Sequence, residues 1–180
     1  TRVPEDAAVR LKAPDHPYVS RGGLKLEGAL EDLSVSVEGA RCLDVGASTG
    51  GFTDCLLQRG AQHVVAVDVG TNQLAWKLRQ DPRVTSLEQT DLRALRSDDL
   101  APLGGPVDLA VVDASFISLR LLLPPLASLL EPGSGLLALV KPQFEVGREH
   151  VERGGVVRDD ALRAQAVEEV SDFARDSGFQ

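Results

Sequence analysis

The chain has 180 residues, 43% of them hydrophobic, which is enough for one domain with a substantial core. Its net charge of −8 argues against an unaided electrostatic grip on nucleic acid, because phosphate neutralisation needs a Lys/Arg surface. The longest apolar stretches, Leu119 to Leu130 and Leu136 to Val140, are interrupted by Pro124, Pro125, Glu131 and Pro132, so stable membrane insertion is not expected.

The chain opens on Glu5, Asp6, Arg10 and Asp15 where a secretory signal would be apolar, and it contains no Met, so the visible sequence is expected to start after the initiator. Residues 1–17 hold Pro4, Pro14 and Pro17 and little periodicity, which predicts a linker or the edge of a preceding domain. Arg2, Arg10, Lys12, Arg21 and Lys25 leave this side nearly balanced in charge, whereas the surplus acid follows Glu145. Any nucleic acid is therefore expected near the N-terminal side and Lys141.

A short amphipathic helix is predicted over 22–33, with Leu24, Leu26, Ala29, Leu30 and Leu33 as its stripe and Lys25 outside it. An apolar strand over 41–45 leads through a loop at 46–51 into a helix over 52–58, ended by Gly60. Further strands are predicted at 63–67, 84–87, 107–112 and 136–140, with helices at 73–79, 118–130 and 159–175. Continuous apolar strands alternating with helices predict an α/β fold, a parallel sheet covered on both faces. Cys42 and Cys55 flank a strand and helix without disulfide or zinc spacing; they read as core thiols of a reducing, cytoplasmic compartment, and no metal site is expected.

The strongest chemical signal is Leu43-Asp44-Val45-Gly46-Ala47-Ser48-Thr49-Gly50-Gly51-Phe52, a strand, a loop of small residues and a helix start. Glycines let a ligand approach the backbone, and the free amides of the helix start offer polar contacts. A dinucleotide site would carry G-x-G-x-x-G at this position to hold pyrophosphate; here the spacing is G-x-x-x-G-G and the strand carries Asp44. That acid suits a cofactor without phosphates and with a cationic amino-acid part. Asp68 ends the second strand, where ribose hydroxyls of an adenosine cofactor would lie, and Asp91 follows the third, where it could accept from an adenine amine. A single strand-end acid is more often a helix cap, but a set of them at successive strand ends converges on one crevice.

With Tyr18-Val19-Ser20-Arg21-Gly22-Gly23-Leu24-Lys25-Leu26, Asp113-Ala114-Ser115-Phe116-Ile117-Ser118 and Lys141-Pro142-Gln143-Phe144-Glu145-Val146-Gly147 added to the glycine loop, the chain resembles the TlyA family, called hemolysins and grouped with FtsJ-like ribosomal RNA methyltransferases. The resemblance implies a Rossmann-like class I methyltransferase fold, doubly wound and mostly parallel, over 18–180. It also implies S-adenosylmethionine as cofactor, bound by Asp44, Gly46 to Phe52, Asp68, Asp91 and Asp113, and cytidine 2'-hydroxyls of ribosomal RNA as acceptors. An S4-type RNA-binding domain would precede the chain and deliver it to the ribosomal subunit. Of the family's Lys-Asp-Lys-Glu tetrad, Lys25, Asp113 and Lys141 match; the glutamate is expected in final strands beyond Gln180, so the chain by itself is expected to be poorly active. The stretch before the first lysine, Gly22-Gly23-Leu24, departs from the family's Gly-Ala-His.

Lys141 is the candidate base for a ribose proton, Lys25 the second cation that favours its loss, and Asp113 the carboxylate that orients both while opposing that loss. Arg21, Ser115 and Phe116 are candidate substrate contacts, and Arg148, His150 and Arg153 sit on a polar segment, 144–155, predicted to be a loop over the substrate. Exocyclic-amine methyltransferases carry Asn/Asp-Pro-Pro-aromatic where this chain has Asp113-Ala114-Ser115-Phe116, which favours oxygen as acceptor. Two other readings compete: a membrane-disrupting hemolysin, for which no basic amphipathic helix is visible, and a non-catalytic cofactor-binding or assembly module on the same fold.

Overall fold

The computed structural model describes residues 15–180; the linker expected over 1–17, with Arg2, Arg10 and Lys12, lies almost wholly outside the described residues. Five strands, β1 (Arg41–Val45), β2 (His63–Val67), β3 (Val84–Leu87), β4 (Leu109–Val112) and β5 (Gly135–Ala138), form one sheet in the order β3-β2-β1-β4-β5. Every pairing is parallel. The order reverses between β1 and β4, and in open α/β sheets the crevice outside such a reversal is where ligands bind.

Alternation along each strand sends side chains to two separate cores. Cys42, Val64, Ala66 and Val111 face α1 (Gly22–Asp32), α2 (Gly51–Gln58) and α3 (Trp76–Arg79), where they meet Leu26, Leu30, Leu56 and Leu78. Leu43, Val65, Ala110 and Val112 face the opposite layer, with Leu119, Leu123 and Leu126 around α4 (Leu123–Leu129) and Val170 of α6 (Asp160–Asp176). A strand buried on both faces has no need of polar alternation, which is why these strands read as apolar runs.

Several helix expectations change. The buried stripe of α1 is Gly23, Leu26 and Leu30, while Leu24 and Leu33 are exposed, because α1 packs closely on α2 through its glycine face. α3 begins at Trp76 rather than at Gln73, since Leu74 drops into the core and the extended Ala75 donates its amide to Thr49 O. The run expected as one helix over 118–130 splits into a 3-10 turn at Leu119–Leu121, capped by Ser118, and α4, whose first turn accommodates Pro124 and Pro125. The Asp159 carboxylate caps α6 by accepting from Ala161 and Leu162 amides. Cys42 and Cys55 are buried and unpaired. No helix among the described residues is long and apolar enough to cross a membrane.

Candidate active site

Gly46 turns the chain at the end of β1 with φ +82°, and a Cβ there would lie 3.0 Å from Asp113 O and 3.1 Å from the Ala114 amide. Only glycine permits both the left-handed backbone and this approach of the β1 and β4 loops. Gly51, the first residue of α2, plays a similar part on the other side, where a Cβ would fall onto Ser20 Oγ and crowd Gly22 and Gly23. The loop is thus pinched between α1 and the β4 loop. Ser48 and Thr49 stand exposed at its crest.

Asp44 is not an open carboxylate beside the turn. It is 0% exposed, on the strand face that meets α2, and its Oδ2 accepts a 2.6 Å hydrogen bond from Thr53 Oγ1 while Oδ1 has no partner. Burial pushes its pKa up to about 7; the Thr53 hydrogen bonds oppose the rise and the charges of Asp113 and Asp68 add to it. Neither Asp44 nor Gly50 lines a cavity, so both act from beneath the loop.

Asp68 leaves the end of β2 and holds the loop by two backbone contacts, accepting 2.8 Å from the Ser48 amide and 2.7 Å from the Gly70 amide. A carboxylate has about four acceptor positions, so oxygens so occupied can still receive hydroxyls. Asp91 caps the 3-10 turn Leu92–Ala94, and the Arg93 guanidinium beside it holds its carboxyl below the usual range. Both engagements are local, with the turn and with Arg93, while the carboxylate still lies on the wall of the crevice where an adenine contact was expected.

These residues frame a cavity of about 580 Å³ at the carboxyl ends of β1, β2 and β4. Asp68, Asp91 and Asp113 project to it, together with the apolar Val69, Leu92 and Ile117. Acidic and aliphatic side chains lining one slot are the chemistry that a nucleoside would need, carboxylates for hydroxyls and apolar surface for a base. A smaller cavity of about 290 Å³, lined by Ser20, Lys25, Phe52 and Lys141, shares Gly46, Ser48, Asp113 and Ser115 with the first.

At that shared wall three residues from distant parts of the chain meet. Asp113, whose amide donates to Val45 O at 3.0 Å, presents Oδ2 to Lys25 Nζ at 3.2 Å and Oδ1 to Lys141 Nζ at 2.5 Å. Lys141 also donates to Ser115 Oγ at 2.8 Å and to Asp113 O at 3.3 Å. Lys25 comes from the first turn of α1 and keeps half its side chain in solvent, whereas Lys141 and Asp113 are mostly covered. Both lysines thus converge on the one Asp113 carboxylate beside the polar cavity.

Ser115 therefore touches Lys141, and Phe116 stands 92% exposed with φ +66° on the same loop, its ring 5.5 Å from that of Phe144. Arg21 is exposed and lines neither cavity, and Arg148, His150 and Arg153 are likewise exposed and away from the cavity walls. The segment expected as a loop over 144–155 begins inside the short helix α5 (Pro142–Glu145) and continues through a 3-10 turn at Arg148–His150. Thr53, Gly70, Gln73 and Ile117 were not among the sequence candidates; the aliphatic residue after each strand-end acid, Val69 and Leu92, was the available signal for the apolar slot. Among the described residues, no three His, Cys, Asp or Glu gather in a way that could hold a metal ion.

The sheet order and this crevice define a Rossmann-like fold of the class I S-adenosylmethionine-dependent methyltransferases; an S-adenosylmethionine dependent methyltransferase from Mesorhizobium loti superimposes with a TM-score of 0.56 at 17% identity, over 85% of this chain and 80% of that one. The chain belongs to the FtsJ-like methyltransferase family, whose pattern matches residues 18–180, and within it to the TlyA group. It is 53% identical over 165 residues to the 16S/23S rRNA (cytidine-2'-O)-methyltransferase TlyA of Mycobacterium tuberculosis, covering 92% of this chain and 60% of that protein. A hemolysin-named protein of Lactococcus lactis is 50% identical, with a TM-score of 0.85 over 89% of this chain and 76% of that one. The chain spans about three-fifths of the length of the first curated relatives it matches.

Proposed function

We propose that the protein methylates the 2'-hydroxyl of a cytidine in ribosomal RNA, using S-adenosylmethionine held in the larger cavity and Lys141 as the base. The observation that carries the reading is the Lys25-Asp113-Lys141 cluster on the wall shared by the two cavities. When bound, S-adenosylmethionine supplies an electrophilic methyl group on a sulfonium. Asp68 receives the ribose of the cofactor, and the loop from Gly46 to Phe52 supports its amino-acid end with Asp44 below.

A ribose hydroxyl is a weak nucleophile until its proton is removed or shared. Lys141 is the group placed for this, mostly covered and fixed by Ser115 and Asp113, and it accepts the proton in its amine form. Lys25 takes the other carboxylate oxygen, so that Asp113 does not bind Lys141 as its sole counter-ion. Phe116, extended into solvent beside Ser115, offers a face on which the target base stacks. With a net charge of −8, the chain is a poor general binder of phosphate, and we assign recruitment of the ribosomal subunit to a separate basic domain.

The test is single-turnover methylation of ribosomal subunits by the parent protein, Lys141→Ala and Lys141→Arg, followed by mass spectrometry of the nucleosides. The alanine variant is expected to lose about 10²-fold or more in rate at unchanged cofactor affinity. Arginine is expected not to rescue, because guanidinium keeps the charge but accepts no proton. Parental rates in both variants eliminate the base, and a methyl group on the base rather than the ribose eliminates the acceptor.

A further inference from the structure

The contacts around Lys141 extend to a residue remote from both cavities. Glu145 ends α5, four residues after Lys141, and its carboxylate is 1% exposed. It accepts from Ser118 Oγ at 2.6 Å and from the Leu119 amide at 2.8 Å, which together close the far end of the loop that begins at Asp113. Arg120 secures the clasp from behind: its Nη2 donates to Glu145 O at 3.1 Å and to Glu169 Oε2 of α6 at 3.0 Å. We propose that Glu145 is a positioning residue, a clasp that holds α5 against the Asp113–Leu119 loop and so sets the placement of Lys141 against Asp113 and Ser115. The proposal rests on the reading of Lys141 as the base and adds a residue to it.

A lysine ammonium sits on a flexible four-carbon stem, so its position depends on where its backbone and its acceptors are held. Here the backbone of Lys141 belongs to α5, and the acceptors Ser115 Oγ and Asp113 O belong to the β4 loop. Nothing in the sheet fixes these two segments to one another beyond Leu139, whose amide donates to Val112 O. The joints that do so are the clasp at Glu145, the Arg120 bond to the Glu145 carbonyl and the ring contact between Phe144 and Phe116. Phe116 is almost wholly exposed and Arg120 partly so, which leaves the buried carboxylate as the stiffest of the three. Reacting groups displaced by about 1 Å can lose about 10²-fold in rate, so loosening this joint acts on turnover more than on binding.

The experiment compares Glu145→Ala and Glu145→Gln with the parent. Glu145→Ala is expected to lower kcat by about 10- to 100-fold with KM for RNA and for cofactor within about twofold. Glu145→Gln is expected to recover most of the loss, since its amide oxygen still accepts from Leu119. A parental kcat in Glu145→Ala, a change confined to KM, or a glutamine variant no better than alanine overturns the clasp. Amide NMR of the same proteins needs no turnover: Glu145→Ala is expected to speed hydrogen exchange at Leu119 and shift Ser115 and Lys141 resonances while β1 and β2 amides stay fixed. If the parent transfers no methyl group, the functional reading fails and this spectrum alone decides the clasp, with unchanged Ser115 and Lys141 resonances rejecting it.

Discussion

Replacing Asp44 by Asn separates a burial cost from every other pH effect in the protein. The carboxyl has no solvent contact and one oxygen without a partner, and its pKa stands at about 7 against an ordinary value of 3.8. Between those values the folded protein keeps a proton that the unfolded chain has released. Stability from this group is therefore highest below pH 3.8, falls as the pH rises through the interval, and levels off above pH 7. At about 1.4 kcal/mol per pH unit, the ceiling of the loss is about 4 kcal/mol. Asn cannot ionise and retains the shape of the neutral acid. Urea unfolding of the parent and of Asp44→Asn at pH 5 and pH 8 is expected to show the variant gaining about 1 to 3 kcal/mol on the parent over that span, since only the part of the interval above pH 5 is sampled. Titrations that do not couple to Asp44 cancel in this comparison; Asp113 and Asp68, whose charges act on it, are the exceptions. Parallel pH profiles for the two proteins refute the reasoning.

Asp68→Ala is expected to weaken S-adenosylmethionine binding by about 1 to 3 kcal/mol, measured by calorimetry, because the ribose contact is lost and the Ser48 and Gly70 amides lose their acceptor; unchanged affinity in the folded variant removes Asp68 from the cofactor. Phe116→Gly is expected to move two quantities in opposite directions. Relief of the positive φ raises stability by about 1 kcal/mol, while loss of the ring lowers kcat/KM for RNA by about 10-fold or more. Full activity in this variant rejects the stacking role.

The strands were legible because their signal is local: β2 is an apolar run after His63, β1 sets apolar residues around a single Asp44, β3 is a short stretch bounded by Val84 and Leu87, and the structure returns all three with the expected bounds. Asp44 was expected on the strand but facing the cofactor beside the turn, whereas its side chain faces α2. Period-2 alternation puts it on the same face as Cys42, against α2, and that is where it lies. Asp91 and Arg93 are two residues apart, so their pairing was within reach of the sequence. Glu145 was not, since its partners lie 26 and 27 residues earlier on a loop whose path depends on the whole β4 crossover. The Lys25-Asp113-Lys141 cluster was reached only through family resemblance; Lys25 and Asp113 are 88 residues apart and no periodicity links them.

If the protein acts on RNA as proposed, the sheet sets where so acidic a chain would meet it. α6, with Glu168, Glu169, Asp172 and Asp176, packs through Val170 on the sheet face opposite to that covered by α1 and α3. Arg21, Lys25 and Lys77 belong to the α1 and α3 side, and Lys141 lies at the junction of the cavities. Lys77 is spent largely on the buried carboxylate of Asp54, and Lys25 and Lys141 share Asp113. The free positive charge near the site is consequently small and screened within about 10 Å at ordinary salt, too weak to gather a polyanion from a distance. Under the proposed function, recognition would then be short-range: one ribose hydroxyl, one base against Phe116, and the Lys25 and Lys141 side chains held by Asp113. On that proposal, selection of the target nucleotide would rest on its fit to the polar cavity, and affinity for the RNA as a whole would come from other surfaces.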